Sequence, residues 1–159
     1  MRKALALLAG LAVLVLANLT IVQRERLLAE GQVVLLELAP VDPRSLMQGD
    51  YMALDFRIAR EMAAMPANER PQDGHVVLAL DERRVASFVR VDDGSPLAPG
   101  QVRLRYRIRN HQVRFATNAF FFQEGEAKRY EPARYGEFRV AADGEALLTG
   151  LRDERTQDL

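Results

Sequence analysis

Arg103, Arg105, Arg107 and Arg109 alternate along Val102–Arg109 (VRLRYRIR), and they are the densest set of chemically able side chains in the sequence. On an extended strand every second residue shares a face, so the four guanidiniums line one side about 6.8 Å apart. Four cations so spaced repel unless something screens them. One reading is an anion site for lipid head groups, cell-wall polymer or an acidic partner. The other is pairing with carboxylates on adjacent strands, for which Glu137, Asp143, Glu145, Asp81 and Glu82 are available. Cross-strand charge pairs are ordinary sheet surface chemistry, and pairing carries the greater weight.

Other chemistry has little material. The chain has no cysteine, which removes disulfides, thiolate catalysis and cysteine-ligated metals. Its two histidines, His75 and His111, lie at a strand start and in a tight turn. No Asp, Glu or His spacing around them matches a metal set. Lys3 and Lys128 are the only lysines, so an activated lysine would have to be Lys128. A polar cluster, Asp42, Arg44, Ser45 and Asp50, is the remaining enzymatic candidate, and it lacks a general base beside a nucleophile. We expect no catalytic residues, no metal and no cofactor. Net charge is zero, which gives no general attraction to nucleic acid. Phe120-Phe121-Phe122 cannot all point to one face of a strand, so two rings in the core and one exposed is the expectation.

The elements that position these residues begin with Ala4 to Val22, an uncharged apolar run whose only polar members are Asn18 and Thr20. As a helix it spans about 30 Å, one hydrocarbon core. It is longer than a signal-peptide core and no small-x-small cleavage pattern follows, so a retained anchor is expected over residues 1–23. Arg2 and Lys3 precede it, and Arg24 and Arg26 follow. The short N-terminal stub favours the N-terminus inside, with residues 24–159 outside the cytoplasm, on the periplasmic side of a bacterial inner membrane.

That outer part reads as mainly β (α+β): one antiparallel sheet or barrel-like domain of about eight short strands with one or two short helices. Strands are expected at Gln32–Leu38, Tyr51–Ile58, His75–Leu80, Val85–Val91, Val102–Arg109, Val113–Phe115, Glu137–Val140 and Ala146–Leu151. Helical composition marks Ala59–Met65 and Gly125–Tyr135, turn chemistry marks Pro71–Gly74, and the charged tail from Arg152 reads as frayed. In the second strand Met52, Leu54, Phe56 and Ile58 form the apolar face, and Tyr51 takes the opposite one, where it can meet a partner.

Leu46-x-x-Gly49-Asp50 resembles a local motif of serine/lysine signal peptidases. The nucleophile position holds Val41 and the strands that follow contain no lysine, so that activity is excluded. Gly49-Asp50-Tyr51-Met52-Ala53-Leu54-Asp55-Phe56 resembles the signature of the GDYXXLXY family of membrane-anchored bacterial proteins. Asp42-Pro43-Arg44-Ser45-Leu46 before it is similar to that family as well, as are Arg134–Val140 and Ala146–Leu151 near the other end. The resemblance implies one N-terminal anchor, one extracytoplasmic domain and a multi-spanning membrane partner encoded nearby or fused. It implies a location and no particular chemistry. The motif residues Asp42, Pro43, Arg44, Gly49, Asp50, Tyr51, Leu54 and Phe56 are accordingly expected to be structural. Phe56 stands where the signature has Tyr, so packing rather than a hydroxyl is the expected role there.

Overall fold

The computed structural model describes residues 2–39, 47–48 and 51–159. Of the motif, Asp42, Pro43, Arg44, Gly49 and Asp50 lie outside the described residues. In chain order the elements are helix α1 (Arg2–Glu30), strands β1 (Gln32–Glu37), β2 (Met47–Gln48) and β3 (Tyr51–Ala53), and helix α2 (Arg57–Ala63). A 3-10 turn (Ala67–Glu69) leads to β4 (Asp73–Leu80), β5 (Ala86–Val91), β6 (Gln101–Arg109), β7 (Gln112–Phe115) and β8 (Ala119–Phe121). Helix α3 (Ala127–Tyr130), β9 (Tyr135–Val140) and β10 (Ala146–Arg152) complete the chain.

Helix α1 is apolar around its whole circumference over most of its length, and its large side chains from Leu8 to Val22 stand exposed. By length and composition it is able to cross a membrane. Its two polar interruptions bond within the helix: Asn18 Nδ2 donates to the Leu14 carbonyl and Thr20 Oγ1 to that of Leu16, both at 2.9 Å. That satisfies groups which hydrocarbon would leave unsolvated. At 29 residues the helix is about 44 Å long, more than the roughly 30 Å of one hydrocarbon core, and its last turns lie beyond the apolar run that ends at Val22. There Leu27 is buried against the β domain. Gly31 ends the helix by donating its N–H to the Leu27 carbonyl at 3.0 Å. A Cβ at 31 would lie 2.3 Å from that oxygen and 3.0 Å from the Arg139 Cβ, so the backbone turns this tightly only because the residue is glycine. Arg139 closes the joint from the other side, donating to the Gly31 carbonyl at 3.2 Å.

The strands form antiparallel sheets in the orders β1-β9-β10, β2-β3-β8 and β5-β4-β6-β7. A parallel bridge between Leu35 and Val85 joins the first and third edge to edge, with Leu35 N–H donating to the Arg84 carbonyl at 2.9 Å. The result is a curved half-barrel around one core. Phe56 sits at its centre, edge-on to Phe115 (6.1 Å between ring centres) and to Phe138 (5.5 Å). The expectation of packing at residue 56 holds: the side chain is fully buried.

Four local expectations differ from the structure. The strand expected at Tyr51–Ile58 stops at Ala53, because Ile58, Ala59 and Met62 are spaced to form one buried stripe of α2, which starts at Arg57. The alternation survives the change, and Met52, Leu54, Phe56 and Ile58 are all buried. Pro71–Gly74 is only half a turn: Asp73 and Gly74 open β4, where they pair with Arg107 and Tyr106. Of Gly125–Tyr135 only Ala127–Tyr130 is helical. The tail is ordered rather than frayed. Asp153 Oδ1 accepts from the N–H groups of Arg155 and Gln157, Arg152 bridges to Asp158, and Leu159 packs against the core.

The short turns follow simple rules. Asn110 and His111 both take positive φ (51° and 64°), the two-residue turn whose twist suits a hairpin. Gly144, at φ 86°, turns the β9–β10 hairpin, and its carbonyl accepts the Arg105 N–H at 2.9 Å. The hairpin tip is thereby stitched onto the arginine face of β6.

Candidate functional site

Strand β6 has the two faces its alternation requires. Val102, Leu104, Tyr106 and Ile108 are buried, and Arg103, Arg105, Arg107 and Arg109 lie on the other side. Burial holds the Tyr106 hydroxyl above its ordinary pKa, and it donates to the Pro71 carbonyl at 3.0 Å. Each of the four arginines has a carboxylate. Arg103 Nε meets Asp92 Oδ2 at 2.7 Å, and Arg105 meets Glu145 at 2.5 Å. Arg107 and Arg109 both lean on Asp73, at 3.8 and 3.3 Å. Pairing is therefore what the sheet does, as weighed from sequence. Of the five carboxylates expected to serve, only Glu145 takes part.

Three of the others have different duties, and Glu82 is exposed in the β4–β5 turn. Asp81 Oδ1 accepts from the N–H groups of Arg83 and Val85 in the β4–β5 turn. Asp143 Oδ1 accepts from the Glu145 N–H and helps set that residue. Glu137 is buried on β9 and pairs with Arg152, while Thr149 Oγ1 donates to its Oε1 at 3.2 Å. Thr149 sits at a β10 bulge between Leu148 and Gly150, which lets its hydroxyl reach back.

The arginine row is not uniform. Arg103 also donates to the Ser95 carbonyl and is only a quarter exposed. Burial pushes the Asp92 carboxyl up, but hydrogen bonds from Arg103 and the Gly94 N–H, with the charges of Arg103 and Arg90, outweigh that and hold it below its ordinary value. This is a structural clamp on the loop after β5. Arg105, Arg107 and Arg109 instead line an open groove of about 710 Å³. Two further arginines enter it that strand alternation could not nominate: Arg24 from the end of α1, 3.9 Å from Glu145, and Arg114 from β7. Register puts Arg114 directly opposite Arg107. A sequence signal for Arg114 does exist, since a two-residue turn at Asn110-His111 fixes that pairing.

The groove also has apolar lining residues, Phe120 and Phe121 among them. Of the three consecutive phenylalanines, Phe120 and Phe122 pack on Tyr130, while Phe121 is 74% exposed, the division expected. Tyr51 faces Phe121 across the β3–β8 ladder with ring centres 5.8 Å apart. It lies on the opposite side of its strand from buried Met52, and in β8 it has a neighbour within its own chain. His75 lies beneath Gly144 and His111 is exposed in its turn. Among the described residues no three His, Asp or Glu side chains are grouped to hold a metal.

No curated protein and no solved structure matches the chain. A family model does, described as GDYXXLXY protein, over residues 13–151. The matched span starts inside α1 and ends in β10, so it takes in the greater part of the apolar helix, the motif strand and every sheet. By that span the chain belongs to the GDYXXLXY protein family.

Proposed function

We propose that the protein is a membrane-anchored accessory subunit: α1 crosses the inner membrane with its N-terminus inside, and the β domain works on the periplasmic side by docking on a multi-spanning membrane protein. The observation that carries this is the joint at Leu27–Gly31. The apolar part of α1 is exposed, yet the helix runs without a break into a turn whose Leu27 is buried against the β domain and whose end at Gly31 is held by Arg139. A flexible tether would let the domain roam. A continuous helix holds it at one height and limits its tilt, which suits a subunit that meets its partner at the membrane surface. The partner type comes from the family resemblance, and the orientation from the short basic stub at Arg2 and Lys3.

Crosslinking in intact membranes, followed by affinity capture of the full chain from mild detergent and mass spectrometry, tests the reading. A multi-spanning membrane protein recovered in fixed proportion is the expected result. A chain that always runs alone, at native expression with the neighbouring gene present, would end it.

A further inference from the structure

Two features of the groove beside α1 go beyond the pairing of the sheet's charges. Arg107 on β6 stands directly opposite Arg114 on β7, and like charges so placed repel across about 5 Å. Arg114 is exposed and has no ion pair among the described residues, so the fold does not require its charge. Further, among the described residues four of the groove's five guanidiniums share two carboxylates and the fifth, Arg114, has none. Glu145 lies between Arg24 and Arg105, and Asp73 between Arg107 and Arg109, which leaves an excess of three positive charges. Phe121, Leu147 and Leu148 line the same groove. A ligand that fits has an anion joined to hydrocarbon.

The position of the groove narrows the choice. Arg24 lies two residues beyond Val22, the end of the apolar run, or about 3 Å along the helix axis. The groove therefore opens at the level of lipid phosphates. We propose that it binds the phosphate of an anionic membrane phospholipid. Arg107 and Arg114 close on the phosphate oxygens, which relieves their mutual repulsion, and planar guanidiniums suit such oxygens. Arg24 and Arg105 flank the head group on the membrane side, and Phe121 covers the glycerol and the first acyl carbons. Arg103, held by Asp92, takes no part. The proposal rests on the reading that α1 lies in a bilayer.

The chain contains no tryptophan, so Phe121→Trp provides a single reporter at an exposed position. The full-length variant is reconstituted into vesicles of phosphatidylcholine alone or mixed with phosphatidylglycerol, and its emission spectrum is read. Emission should move to shorter wavelength only in the mixed vesicles. Adding Arg114→Gln, which breaks no ion pair, should remove the shift. Inorganic phosphate added to phosphatidylcholine vesicles should produce none. Identical spectra in the two vesicles, a shift that survives both Arg114→Gln and Arg107→Gln, or a shift reproduced by inorganic phosphate would each overturn the lipid assignment. A chain that floats with neither vesicle overturns the anchor reading and this proposal together, whereas one that enters both without a lipid-dependent shift overturns this proposal alone.

Discussion

Asp92 and Tyr106 show how differently two polar groups next to one strand behave. Asp92 has a folded pKa below its ordinary value, so its ionised form is the one the fold prefers. Its contribution is present above the unfolded carboxylate pKa of about 3.9 and is lost as pH falls through the lower folded value. Asp92→Asn should therefore be less stable than the parent at neutral pH, with the gap closing as acid is added. Thermal unfolding in detergent across that range reads it, and a gap that widened in acid would reverse the assignment. Tyr106→Phe removes the donor to the Pro71 carbonyl and should cost about 1 kcal/mol. Chemical denaturation measures it, and a neutral result would mean that water reaches the carbonyl.

At the scale of elements, two joints hold the architecture. The α1–β1 joint depends on the closeness of Gly31 to the Leu27 carbonyl and Arg139. Gly31→Ala should cost on the order of 2–3 kcal/mol, since the obstructing atom is backbone and cannot swing aside. A drop in unfolding midpoint, with more rapid proteolysis between α1 and β1, is the expected pattern. The β9–β10 joint depends on Glu137, whose loss would leave Arg152 with only the exposed Asp158 as a charged partner. Glu137→Ala should cost about 3 kcal/mol and loosen the tail that Arg152 holds through Asp158. Hydrogen exchange along Asp153–Leu159 distinguishes that loosening from a general loss of stability. Some of these elements could be read from the sequence. Val102–Arg109 announces a strand by strict alternation, and Asp143-Gly144 announces the β9–β10 hairpin. Tyr51–Ile58 misleads, because its residues satisfy a strand's period and a helix's stripe at once, and α2 takes the second half once Met62 reaches the core.

For the whole molecule, placement at the membrane is the property that matters. The cysteine-free chain makes orientation easy to test, since Glu82→Cys on the exposed β4–β5 turn is a unique thiol. A membrane-impermeant maleimide should label it in intact spheroplasts, and labelling only after lysis would place the β domain inside.

The sequence by itself determined the apolar helix, the two faces of β6, the burial of Phe56 and the family, because each rests on periodicity or on a local string of residues. Only the tertiary structure decided which carboxylates meet the arginines. Asp73 and Asp92 come from the far ends of β4 and the β5 loop, and register alone brings them there. The same holds for the groove. Arg24 is distant in sequence from the β6–β7 hairpin that carries Arg107 and Arg114, and its place beside them depends on how α1 leaves the apolar span and packs on the β domain. Charge excess belongs to an assembled surface, and a linear count of zero net charge conceals it.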